Sequence, residues 1–287
     1  MLIGFSMPAV QAVVLSGSPA GAALLGDTQD GLYDGFPARE ARLQWMTGGG
    51  QTTASALRLS LRFAGSAVQL RLAAVLGLRL PIGTRVVAEL YTAHAGTLVA
   101  SVDTRVVQLP GGATGAWFVW PASVGTALRF DLVIYNDVNG VASIAAGTVF
   151  EIGELIAMRA VSIDIQSDWT LDTVDPSDGD ISRDSQRLLV TRTPYRRLET
   201  ALSAVTFAGA YAGGLTGGLD LEQLRVALAG DRRCAAVPRW TANGTAVDLS
   251  MARVTALYGV GRLAATEHQG GDYFAAGFAV DEQPAVP

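Results

Sequence analysis

The chain has 287 residues, a length that suits one large or two ordinary domains and can bury a sizeable core without disulfide or metal staples. Hydrophobic residues make up 49% and charged residues 16%, which excludes the disordered class, and a net charge of −5 argues against nucleic acid as a partner. All 21 basic residues are arginine, and the single cysteine, Cys234, excludes intrachain disulfides and Cys-rich metal sites.

The first 18 residues are apolar, yet they lack the basic start of a signal sequence, and Pro8 and Gln11 interrupt the run. They contain a strand at 9–15 that could belong to either half of the chain. No later stretch approaches a 20-residue uncharged span, so no membrane insertion is expected. Residues 16–55 are rich in Gly, Ala, Asp and Thr and read as loops around short strands, ending in Trp45 and Gly48-Gly49-Gly50. From 56 the pattern changes. Leu57, Leu59, Leu61 and Phe63 alternate with Arg58, Ser60 and Arg62, the signature of a strand with one buried face. Val68, Leu70 and Leu72 continue it, and further strands are expected at 85–92, 98–108, 116–120, 127–135 and 148–157. Short strands at near-regular spacing predict a β-sandwich of jelly-roll type over residues 1–158.

A second, smaller unit is expected over 159–287. Its segment 170–185 is polar and acidic and reads as a solvated loop. Strands follow at 186–193 and 196–204. Asp220 with Gln223 has capping-box spacing, Leu221, Leu224 and Leu228 share a helical face, and Gly230 sits where a helix stops. Three strand-like runs, 234–238, 252–263 and 272–281, close the chain. This unit is α+β, mostly β, with one short helix.

Catalytic chemistry is hard to assemble from these residues. His94 and His268 lie in no local motif, and a serine triad needs a histidine base oriented by a carboxylate. No G-x-S-x-G elbow occurs. The Gly-rich 213–218 run cannot be a phosphate loop, because that motif requires a lysine. Asp172, Asp175, Asp178 and Asp180 are the best metal candidates, but their spacing matches no EF-hand, and Asp-Pro-Ser and Asp-Gly are ordinary turn formers. No metal or cofactor is therefore expected, nor enzymatic activity. Carboxylate pairs for glycoside hydrolysis are set by spatial separation, which sequence does not give.

Aromatic residues supply the remaining lead. Alternation in 116–120 (AWFVW) puts Trp117 with Val119 on one face and Phe118 with Trp120 on the other. One face is core, and the other is solvent, a ligand platform or an interface. Exposed Trp and Tyr stack on sugars, so Tyr33, Trp45, Trp117 and Trp120 are candidate glycan-binding residues, with core packing as the alternative.

The order of segments adds a resemblance. AALLGDTQDGLYDGFPAREARLQW and the strands after it resemble the opening of a galactose-binding-like (discoidin-type) jelly roll. TVFEIGELIAM is similar to the closing strand of that module in phage tail proteins. WTLDTVDPSD, SRDSQRLLVTRTPYRRLETALSAV, the capped helix, RVTALYGVGRL and DYFAAGFAVDE resemble the second half of the same proteins. The resemblance implies a minor tail (baseplate, tail-tip) protein of a siphophage-type virion, assembled in the host cytoplasm. It implies a homo-oligomer around the tail axis, with other tail proteins as partners and host surface glycans as a candidate ligand. A stand-alone bacterial glycan-binding module and a tail-associated glycan depolymerase are the alternatives.

Overall fold

Strict alternation at 56–63 becomes the strand Ala56–Phe63, with Leu57, Leu59, Leu61 and Phe63 buried. It lies in a five-stranded antiparallel sheet ordered Val10–Ser18, Ala56–Phe63, Arg129–Val138, Thr84–Tyr91, Leu98–Arg105. In this computed structural model the described residues are 1–18, 23–26, 29–45, 51–110, 112–165, 168–181, 187–190, 193–215, 218–229, 232–243, 246–248 and 255–283. Gly48-Gly49-Gly50 and Gly230 lie outside them. The protein is mainly β, a β-sandwich carrying a smaller unit of strands and two short helices.

The sandwich closes against Thr114–Val119, Leu72–Leu76 and Glu154–Ser162, which belong to an 11-stranded sheet. Leu59, Leu132 and Ala88 of the first sheet meet Val75, Phe118 and Leu155 of the second in one core. Trp120 packs edge-on against Phe130 at 6.4 Å, an arrangement the ring quadrupoles favour. The long sheet then continues through Leu2–Ser6, Arg233–Val237, Leu257–Leu263, Tyr273–Glu282, Tyr195–Thr206 and Thr170–Val174.

The N-terminus therefore divides its strands between the two halves. Val10–Ser18, covering the strand expected at 9–15, pairs with Ala56–Phe63 in the sandwich. Leu2–Ser6 pairs with Glu154–Ser162 on one side and Arg233–Val237 on the other. Ile3 and Phe5 enter the smaller unit's core, and the Met1 amine donates to the Ile163 carbonyl at 2.8 Å. Position 158/159, where a domain boundary was expected, falls inside the unbroken strand Glu154–Ser162. Gly4 allows the close crossing there, since a Cβ would stand 2.8 Å from Leu72 Cδ2.

The helix Leu221–Leu228 forms as its capping pattern predicts. Asp220 accepts the Gln223 N–H at 2.8 Å, and Leu221, Leu224 and Leu228 are buried. Other segments differ from expectation. The run from Val68 to Leu72 splits into Val68–Gln69 and Leu72–Leu76, in different sheets. Thr170–Val174 and Asp178–Ile181 are strands instead of a solvated loop. Cross-strand pairing outweighs their polarity: all of Thr170–Val174 is in register with the Tyr195–Thr206 strand, with Asp172 opposite Arg197. A second helix, Phe207–Tyr211, starts where the Thr206 hydroxyl accepts the Gly209 N–H. Among the described residues, no helix is long and apolar enough to cross a membrane.

Candidate functional site

The three tryptophans singled out as sugar platforms are core residues. Trp45 is fully buried, Trp120 is 1% exposed and Trp117 is 4% exposed. Alternation across 117–120 holds, but both faces are covered. Phe118 and Trp120 face the sandwich core, while Trp117 and Val119 join a cluster with Leu2, Ala235 and Tyr258 where the long sheet curls onto itself. A ring needs an open face to stack on a sugar, so none of the three can serve as a platform. Tyr33 differs: it is half-buried and lines a cleft.

The acidic candidates do not assemble either. Asp172 lies on the Thr170–Val174 strand, and Asp175 forms a turn by accepting the Ser177 N–H at 2.9 Å. Asp178 and Asp180 lie on the Asp178–Ile181 backbone, with their side chains outside the description. Among the described residues, no three His, Cys, Asp or Glu side chains converge as metal ligands. His94 contacts the Phe63 carbonyl at 3.0 Å and His268 the Gly271 carbonyl at 2.8 Å, each tying down a loop. Cys234 is buried, and burial pushes its thiol up to about 12, the opposite of a nucleophile's requirement.

The cleft arises from a mismatch in strand length. Leu2–Ser6 has five residues and its neighbour Glu154–Ser162 has nine. Pairing stops at Ser6 opposite Arg159 on one side and at Gly4 opposite Ala235 on the other. Past that point the chain turns out through Met7, leaving an opening of about 470 Å³ between the two halves. Tyr33, Asp34 and Gly35 border it from the sandwich, and Arg232 and Arg233 from the smaller unit. Arg159 projects from the shared strand, its guanidinium 5.4 Å from the centre of the Phe5 ring.

The loop bearing Tyr33 is pinned from both halves. Its Gly35 N–H donates to the Glu154 carboxyl at 3.1 and 3.3 Å. The Gly35 carbonyl accepts from Arg233 Nε at 2.9 Å, and the Arg233 guanidinium lies 4.9 Å from the Phe36 ring centre. Gly35 has φ +85°, and a Cβ there would sit 3.1 Å from Arg233 Cγ, so both backbone and space call for glycine.

Glu154 is 1% exposed. Burial pushes its carboxyl up to about 8, with Asp34 adding to the rise and the Gly35 and Phe36 N–H groups and Arg233 opposing it. At neutral pH it is therefore mostly uncharged. Neighbouring Tyr258 is raised beyond the usual phenol range, chiefly by burial. Asp34 accepts from Arg39 at 3.1 Å and from the Phe36 N–H at 2.8 Å. Sequence reasoning missed Glu154, Arg159, Arg232 and Arg233. One signal was present: a lone carboxylate inside the apolar run IGELIAM is a group whose burial must be explained.

A second surface feature lies on the smaller unit. Phe207, Tyr211 and Tyr273 are 56%, 44% and 53% exposed. Phe207 and Tyr211 pack with Phe274, whose ring lies 6.2 Å from Phe207 and 5.2 Å from Tyr211.

No protein-family model and no curated protein matches the chain. Among solved structures, the chain is similar to CBM32-1 from a family 31 glycoside hydrolase of Clostridium perfringens. That alignment covers 53% of this chain and 96% of the other, at 9% identity and a TM-score of 0.30.

Proposed function

We propose that the chain is a non-catalytic structural protein of a phage tail tip that binds a host surface glycan, and that the junction cleft is its glycan site. The observation that carries the glycan reading is the cleft itself. Its volume lies within the range of roughly 300–1,000 Å³ usual for small-molecule sites. It offers an aromatic wall in Tyr33, apolar surface from Phe5 and Met158, and hydrogen-bonding groups from Ser6 and the arginines. That mixture suits a saccharide, which presents apolar ring faces and hydroxyl edges together. A binding role is favoured over hydrolysis because both histidines serve distant loops and Asp34 is already engaged by Arg39 and the Phe36 N–H.

The virion role rests on the segment resemblance. The cluster of Phe207, Tyr211 and Phe274, with Phe207 and Tyr211 exposed, supports it, since aromatic surface of this kind is enriched where subunits meet. Two measurements test the reading. Glycan-array binding that is lost in Tyr33→Ala is expected, and an intact protein that binds no glycan refutes the assignment of the cleft. Antibody labelling of native tails should place the protein at the tip in fixed copy number. Glycan binding with no label on any particle would leave a stand-alone module, and release of reducing sugar would mean a depolymerase.

A further inference from the structure

Most arginines in the described structure have a carboxylate partner, and those of the cleft do not. Arg58 lies between Glu89 and Asp131, Arg196 pairs with Glu282, and Arg197 pairs with Asp281. Among the described residues, no carboxylate oxygen comes within 4.0 Å of Arg159, Arg232 or Arg233. Arg233 is held by the Gly35 carbonyl and the Phe36 ring, so its role in positioning the loop is accounted for. Arg159 lies beside the Phe5 ring, and Arg232 is exposed at the cleft.

Among the described residues, the two carboxylates nearby do little to neutralise these cations. Asp34 is committed to Arg39, which lies outside the cleft lining. Glu154 holds its proton at neutral pH because it is buried. Among the described lining residues, three arginines against one aspartate therefore leave this concave site with an excess of basic groups, where low-dielectric walls focus the field. Guanidinium groups are suited to carboxylates, which they meet with paired, parallel N–H bonds.

Building on the glycan reading, we infer that the junction cleft selects carboxylate-bearing saccharides, with Arg159 and Arg232 meeting the sugar acid and Tyr33 meeting the ring. Arg159 stands on the strand shared by both halves, and Arg232 on the approach to Arg233–Val237. A ligand held by both would bridge the opening left by the short N-terminal strand.

The test uses the full chain and a panel of uronate oligosaccharides, each paired with its methyl-esterified counterpart, followed by calorimetry. The two forms share ring, linkage and length and differ in charge. The acid form is expected to bind at least tenfold more tightly than the ester, with affinity falling as salt rises. Arg159→Gln and Arg232→Gln should each reduce that preference severalfold, while Arg159→Lys retains part of it. Arg262→Gln, an exposed change on the Leu257–Leu263 strand, should leave it unchanged. Thermal unfolding of each variant separates lost binding from lost fold. Equal affinity for acid and ester overturns the selectivity and leaves the glycan reading standing. Binding of inorganic sulfate as strong as that of the uronates overturns it too, by reducing the site to a general anion trap. Failure of the protein to bind any glycan, acidic or neutral, removes the underlying reading as well.

Discussion

Replacing Glu154 with Gln should make the protein more stable at alkaline pH. Glu154 is 1% exposed and accepts the Gly35 N–H, and burial raises its carboxyl from 4.5 to about 8. The groups facing it are Asp34, Arg233 and Tyr258, together with the Gly35 N–H. In the unfolded chain the carboxyl ionises near its ordinary value, while the folded chain keeps the proton. Between pH 4.5 and about 8 the native state thus binds more protons than the unfolded state, and stability falls as pH rises. The contribution is fully present below pH 4.5 and lost by about pH 8. At 1.36 kcal/mol per pKa unit the full swing is about 4–5 kcal/mol. Glutamine has the same shape, still accepts the Gly35 N–H and has no proton to lose. Urea midpoints of the wild type and E154Q, measured at pH 5, 7 and 9, check this directly. The two should be close at pH 5 and diverge by a few kcal/mol at pH 9, with E154Q the more stable. Titration of groups that do not face Glu154 cancels in the difference. A gap that stays constant from pH 5 to 9 would refute a protonated, buried Glu154.

Two further substitutions separate the roles assigned above. Trp120→Ala should cost about 3–5 kcal/mol in chemical unfolding, because it empties a core site against Phe130, whereas a surface platform residue would cost under about 1 kcal/mol. Ile3→Ala should cost about 2–5 kcal/mol although it lies three residues from the N-terminus, since Ile3 is fully buried in the smaller unit's core; a loss below 0.5 kcal/mol by the same method would show that core to be independent of the strand.

The parts of this fold that sequence reveals are those whose side chains alternate or cap. Leu57 to Phe63, Phe118 with Trp120, and Asp220 with Gln223 each announce a local geometry, and each is found in that geometry. Leu2–Ser6 gives no such signal. From Leu2 to Phe5 it is buried on both faces between two strands, so these residues are uniformly apolar and carry no period of two. The tryptophans mislead for a related reason: alternation fixes which residues share a face, but not how many faces are covered. The cleft is less legible still, because its loop is joined by a bond between residues 198 positions apart. Tyr33 is visible in the sequence as an aromatic flanking an unpatterned loop. Arg159, Arg232 and Arg233 were indistinguishable from surface arginines until the topology brought them together.

The position of the cleft follows from the same topology that hides it. A strand shared by two cores must be apolar where it faces them and can carry charge only where they stop. On Glu154–Ser162, Leu155 and Ala157 face the sandwich core, Val161 faces the smaller unit's core, and Arg159 occupies the interval on that face. The short N-terminal strand ends opposite that same residue. Extending it past Ser6 would run paired backbone beside Met158, into the opening that Arg159 and Met158 now line. Five residues are enough to join the cores and few enough to leave the arginine open to a ligand. The seam that joins the two halves is thereby also the place where a cation can remain unpaired and still reach solvent.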